Sequence, residues 1–269
     1  MEKGTFKAGL EDVIAVNSEI CFIDGQKARL IYRGYDINDL VAHVTFEEVA
    51  YLLWEGSLPT RAQLDDLKAR ITSHMVLHPQ LLELLRRFPR EATPMEVLRT
   101  AVSAAGMLDP SRQDNSLEAN RRRAVLLMGL TPVVVTAWHR LGQGLEPLAP
   151  KEGLSLAANF LYMLTGTEPT PLETRAFDVA LTLHADHELN ASTFAARVTV
   201  ATLSDMYSAI TSAIGALKGP LHGGANEQVM RMLREVQTVE RAESWVKEAL
   251  AAKKRIPGFG HRVYRTGDP

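Results

Sequence analysis

The run Asp39-Leu40-Val41-Ala42-His43-Val44-Thr45-Phe46-Glu47-Glu48-Val49-Ala50-Tyr51-Leu52-Leu53 decides the fold. From here the apolar residues recur at spacings of three and four, as in Phe46, Val49, Ala50, Leu52 and Leu53, which is the period of an amphipathic helix. That period persists almost to residue 269, so the chain reads as mostly α, with a multi-helix large part and a smaller helical part. Just upstream the signal is different. Glu19-Ile20-Cys21-Phe22-Ile23 and Ala28-Arg29-Leu30-Ile31-Tyr32-Arg33-Gly34 are strand-like runs around Asp24-Gly25, which predicts a short N-terminal β-hairpin.

Helix boundaries are marked by residue type. Gly56-Ser57-Leu58-Pro59-Thr60 closes one helix and caps the next, Thr93-Pro94 opens another, and Gly166-Thr167-Glu168-Pro169-Thr170-Pro171 separates two more. Roughly a dozen helices are expected on this punctuation. Ala101 to Glu118 reads as a helix followed by a polar loop, and Arg121-Arg122-Arg123 as the solvated start of the next helix rather than a nucleic-acid patch. The longest apolar run, Ala124 to Trp138, is broken by Gly129, Thr131 and Pro132. It falls short of the ~20 residues that span a bilayer, so a buried helix is expected. Glycines and a proline between Gly215 and Gly224 suggest a boundary, with 1–220 a large helical domain and 221–269 the start of a smaller one.

Composition excludes several classes of function. With 46% hydrophobic residues in 269, the chain can build a sizeable core. Lys plus Arg (30) nearly balances Asp plus Glu (32), leaving a net charge of -2, so no global field favours nucleic acid or an anionic membrane. Any anion site must be local. One cysteine, Cys21, precludes an internal disulfide framework and suits a reducing compartment, and no secretory leader opens the sequence; a cytoplasmic location is expected.

Three histidine-bearing segments carry the chemistry. In His184-Ala185-Asp186-His187-Glu188-Leu189-Asn190 the residues His184, His187 and Asn190 stand at i, i+3 and i+6, which on a helix is one face. They are either satisfied polar groups of a core or interface, or three groups converging on a ligand. A metal site fits poorly, because zinc-protease patterns place histidines four apart around a glutamate. In Gly219-Pro220-Leu221-His222-Gly223-Gly224 the histidine precedes a predicted helix, whose N-terminus disfavours an imidazolium and favours a neutral donor to a developing oxyanion. The third segment, Lys253 to Arg265, gathers five cations around Gly258-Phe259-Gly260-His261. Exposed backbone N–H groups together with Lys and Arg suit a phosphorylated ligand, although a solvated basic loop would carry the same charges.

In this order and spacing the three segments resemble those of citrate synthases and the related 2-methylcitrate synthases. Ile23-Asp24-Gly25, Tyr32-Arg33-Gly34-Tyr35-Asp36-Ile37, Phe46-Glu47-Glu48-Val49-Ala50 and Leu58-Pro59-Thr60 extend the likeness over nearly the whole chain. The resemblance implies a mostly helical homodimer whose small domain closes over a large one, condensing an acyl-coenzyme A with a 2-oxo acid, acetyl-coenzyme A and oxaloacetate by default. Coenzyme A thioester is then a co-substrate, with no permanently bound cofactor and no metal. It places His187 on the oxo-acid carboxylate with His184 and Asn190 in support, His222 as donor to the thioester carbonyl, and His261 on the keto carbonyl. Lys253, Lys254, Ile256, Gly258, Phe259, Gly260 and Arg265 would line the coenzyme A site.

The same resemblance puts a catalytic aspartate, the base, several dozen residues after the Gly-Phe-Gly-His segment, and carboxylate-binding arginines mostly later still. The sequence stops at Pro269, so no residue here is given either role. The expectation is of a chain interrupted inside its small domain, which by itself would neither condense nor fold well. Two other classes are weighed against the enzyme: a non-catalytic relative that binds coenzyme A, and a zinc hydrolase built on His184 and His187.

Overall fold

The computed structural model describes residues 17–220, 222–260 and 263–269. Among these, strands β1 (Cys21–Asp24), β2 (Arg29–Tyr32) and β3 (Tyr35–Asp36) form one antiparallel sheet in the order β1-β2-β3. Cys21 pairs with Tyr32 and Asp24 with Arg29, and the Asp24 carboxylate accepts from the amides of Gln26 and Lys27 at 3.1 Å to shape the turn. The run read as one strand from Ala28 to Gly34 folds back on itself. Arg33 and Gly34 both have positive φ, 48° and 92°, and the reversal creates β3.

Twelve helices follow among the described residues: α1 (Ile37–His43), α2 (Phe46–Glu55), α3 (Arg61–Ser73), α4 (Pro79–Arg87), α5 (Pro94–Leu108), α6 (Leu117–Gly142), α7 (Leu156–Thr165), α8 (Pro171–Leu183), α9 (Ala191–Ala201), α10 (Met206–Leu217), α11 (Ala225–Val236) and α12 (Val239–Ala251). The caps fall where the residue types demand. Thr45, Thr60, Thr93 and Thr170 each form a capping box with a Glu or Gln three residues on, and Gly56 and Gly166 close α2 and α7 in the left-handed conformation.

The core lies around α6. Leu127, Leu130, Val134, Ala137, Trp138 and Leu141 pack against Leu81 and Leu85 of α4, Val97, Ala101 and Val102 of α5, and Tyr207 and Ile214 of α10. Each such buried Leu, Ile or Val side chain stabilises by about 1.5–3 kcal/mol. At 26 residues, with an 18-residue window of mean hydropathy 1.4, α6 is longer than the apolar run alone suggested and matches a membrane span in length and composition. Its apolar surface instead faces neighbouring helices, and 61% of that window is buried.

One expectation fails here. Arg123 was read with Arg121 and Arg122 as a solvated triplet, yet it is 2% exposed. Its guanidinium donates to Asp109 Oδ2 at 2.9 Å, to the Asp114 carbonyl at 2.5 Å and to the Ser111 carbonyl. The α5–α6 loop wraps over it and supplies acceptors that the helical period of α6 alone could not reveal. Arg121 and Arg122 remain exposed and pair with Glu55 and Glu118.

Candidate functional site

The histidine segments are organised by helix ends and by the N-terminal sheet. Helix α8 stops at His184, its C-cap, and α9 starts after Asn190, its N-cap. His184, His187 and Asn190 therefore do not share a helix face, contrary to the reading of their spacing. They belong to a turn between two helices, in which Glu188 takes a positive φ of 58°. The turn is anchored from the sheet. Fully buried Tyr32 donates its hydroxyl to the Asp186 carbonyl at 2.8 Å and accepts from the Asp186 amide at 3.3 Å. Burial pushes the Tyr32 phenol above its ordinary range, so it stays protonated as a donor.

His184 Nδ1 lies 2.6 Å from the Ala180 carbonyl, which can only accept, so Nδ1 carries the proton. Its Nε2 lone pair then accepts from the Asn226 side-chain amide at 3.1 Å. His187 Nε2 lies 3.2 Å from the Tyr264 hydroxyl, and the two rings meet edge to face at 84° with centroids 5.7 Å apart. Tyr264 is 6% exposed, and burial, aided by Asp268, pushes its hydroxyl up to about 12. Asn190 Oδ1 accepts from the Thr193 amide at 3.0 Å and from Ser192 Oγ at 2.7 Å, which caps α9 and fixes Ser192.

His222 rests on that capped end. Its Nε2 accepts from the Ser192 amide at 3.2 Å, with Ser192 Oγ at 3.0 Å. An amide N–H can only donate, so Nε2 is unprotonated, the ring carries its hydrogen on Nδ1, and the one Ser192 hydroxyl hydrogen is shared between Nε2 and Asn190 Oδ1. The helix N-terminus that sets this state is that of α9; the sequence had suggested the helix after His222, which is α11. Gly223 is required beside it, because a Cβ there would collide with the Leu217 carbonyl oxygen.

The third segment reaches the site from the other side. Val263 passes so close to the hairpin turn that a Cβ on Gly25 would strike its carbonyl oxygen. The Arg265 amide donates to the Gly25 carbonyl at 2.9 Å and Thr266 Oγ1 to the Gln26 carbonyl at 3.0 Å. This docking brings Tyr264 onto His187. Lys253, Lys254, Ile256, Gly258, Phe259 and Gly260 form the loop after α12, with Gly258 and Gly260 at φ of 85° and 78° and Phe259 68% exposed; the Arg265 side chain is exposed too. His261, read from sequence as a donor, lies outside the described residues.

The structure thus links His184, His187, Asn190 and His222 through one turn. Four supporting residues, Tyr32, Ser192, Asn226 and Tyr264, were not singled out from sequence, because nothing in their residue types or spacing distinguishes them from ordinary core and helix residues. A groove of about 440 Å³ between the α5–α6 loop and α10, lined by Ser103, Arg112, Gln113, Asp205 and Tyr207 among others, includes none of the candidate residues.

Comparison with known proteins gives a consistent family. Residues 9–269 match the family model described as citrate synthase, C-terminal domain. The chain is 50% identical over 266 residues to citrate synthase 2 of Bacillus subtilis, covering 98% of this chain and 71% of that one. It is 45% identical over 267 residues to the 2-methylcitrate synthase of Mycobacterium tuberculosis, covering 99% and 67%. Among solved structures it is similar to citrate synthase of Thermoplasma acidophilum in a ternary complex with carboxymethyl coenzyme A and oxaloacetate, with a TM-score of 0.87, 35% identity, and coverage of 99% and 70%.

Proposed function

Because the chain belongs to the citrate synthase family, we propose that the protein condenses acetyl-coenzyme A with oxaloacetate to give citrate and free coenzyme A. The thioester loses an α-proton, its carbonyl oxygen gains charge as the enol forms, and the new carbon–carbon bond converts the keto oxygen to a hydroxyl. Water then cleaves the thioester. His222 Nδ1–H is the donor to the thioester oxygen, and the single observation that carries this role is the Ser192 amide bound to Nε2, which leaves a neutral ring with its hydrogen on the other nitrogen. His187, supported by His184 and Asn190, holds the oxo acid, and His261 polarises its carbonyl. The loop Lys253 to Gly260, with Arg265, receives the coenzyme A phosphates. The resemblance puts the base, an aspartate, C-terminal to Pro269, so no described side chain is given that role.

The proposal includes no metal and no permanently bound cofactor, a cytoplasmic location, and a domain division near residue 220 that lets a small domain close over the large one. A second copy of the chain covers exposed apolar residues of α9, Val198 and Val200, and Leu203 just after it; none of α9 is buried within this chain. The 45% identity to a 2-methylcitrate synthase makes propionyl-coenzyme A the alternative thioester. Steady-state release of coenzyme A with each thioester, with and without oxaloacetate, tests both readings. On a chain that carries the aspartate-bearing segment, oxaloacetate-dependent release favouring acetyl-coenzyme A is expected, with His222→Ala lowering kcat by about 10²–10³ as for loss of one oxyanion donor. Release that ignores oxaloacetate, or that His222→Ala leaves intact, overturns the proposal.

A further inference from the structure

Asn226 is the second residue of α11, where a short polar side chain would ordinarily hydrogen-bond its own helix end. It does not: α11 begins at Gly224 with no side-chain cap, and the Asn226 amide reaches 42 residues back in sequence to His184 Nε2. His184 is ready for it, because the Ala180 carbonyl has already fixed its proton on Nδ1. Two ties therefore join His222 and the start of α11 to the first turn of α9 and to the turn between α8 and α9. One, from the Ser192 amide, holds the His222 ring itself; the other, from Asn226, holds the helix into which His222 leads. With one tie, the ring can pivot about Ser192 as α11 shifts. With two, its azimuth is set.

We infer that Asn226 is a positioning residue: by hydrogen-bonding His184 it locks the start of α11 to the histidine turn and so aims His222 Nδ1–H. The effect on catalysis rests on the donor role proposed for His222; the hydrogen bond itself does not. Asn226 is exposed and lies in the first turn of a helix, where alanine is a good former, so Asn226→Ala keeps the fold.

Two measurements on the protein test the inference separately from the proposed activity. In the condensation assay, Asn226→Ala lowers kcat roughly 10–100-fold, the scale expected for an ångström of misplacement, while the oxaloacetate KM stays within about threefold. Because Asn226 acts through His184, the double variant Asn226→Ala with His184→Ala loses no more than His184→Ala alone. In ¹⁵N-histidine NMR, the wild type shows His184 and His222 with protonated Nδ1 and unprotonated Nε2, and Asn226→Ala moves the resonances of both rings. An unchanged kcat, losses that multiply in the double variant, or His222 resonances indifferent to Asn226→Ala overturn it. If the wild type releases no coenzyme A, the proposed activity fails, and the NMR outcome alone then decides the positioning role.

Discussion

Helix α6 buries 13 of its 26 residues, including an arginine, whereas α11 buries none of its 12. About half of each helix is apolar, 14 of 26 residues and 6 of 12, so apolar content does not explain the difference. Position does. Around α6, helices α4, α5 and α10 close on its apolar face and hold it by area removed from water. Near the histidines, the chain is held by separate hydrogen bonds: Tyr32 to Asp186, Ser192 to His222, Asn226 to His184, Tyr264 to His187. A packed region tolerates small losses because many contacts share the load. A region tied by a few polar contacts changes shape when one is cut, which suits the site proposed above.

The comparison breaks first at Arg123. Removing it strands Asp109, 9% exposed, along with the Ser111 and Asp114 carbonyls, so Arg123→Ala should cost about 3–5 kcal/mol in urea unfolding. A smaller effect comes from acid. Burial alone would raise the Asp109 carboxyl, but hydrogen bonds from Arg123, Ser111 and Tyr207 outweigh it and lower it to about 2. A carboxylate depressed on folding stabilises fully above its ordinary value near 4, and that contribution, roughly 2 kcal/mol, is lost as pH falls through 2. The acid limb of the stability curve should flatten in Arg123→Ala. Smallest is the response of α11: Leu233 is 50% exposed, so Leu233→Gln should shift stability by no more than about 0.5 kcal/mol. A loss near that of a core leucine, about 2–5 kcal/mol for truncation, would erase the contrast between the two helices.

The same contrast governs what the sequence could disclose. The change of period near Asp39, the caps at Thr60, Thr93 and Thr170 and the Gly56 and Gly166 stops are local signals that mark boundaries where they were expected, whereas the break at Thr45 between α1 and α2 was not foreseen. The spacing of His184, His187 and Asn190 was local too, but ambiguous. Positions i, i+3 and i+6 fit a helical face, and they equally fit a C-cap, a turn and an N-cap in succession. The deciding clue was Asn190 followed by Ala-Ser-Thr, an N-cap and its first turn. Arg123, Tyr32, Ser192 and Asn226 were illegible for a different reason. Their roles depend on partners 9 to 154 residues away, and side chains so common carry no mark of what they will meet.

The docking of residues 263–266 against the turn at Gly25 and Gln26 has a consequence for biosynthesis. The hydrogen bond from Thr266 to Gln26 spans 240 residues. At translation rates of roughly 5–20 residues per second, the hairpin waits about 12–48 s before its partner segment has been polymerised. For that interval the nascent polypeptide exposes the hairpin turn, with its Gly25 and Gln26 carbonyls unpaired by this segment, so ribosome-associated chaperones have a long opportunity at the N-terminal hairpin.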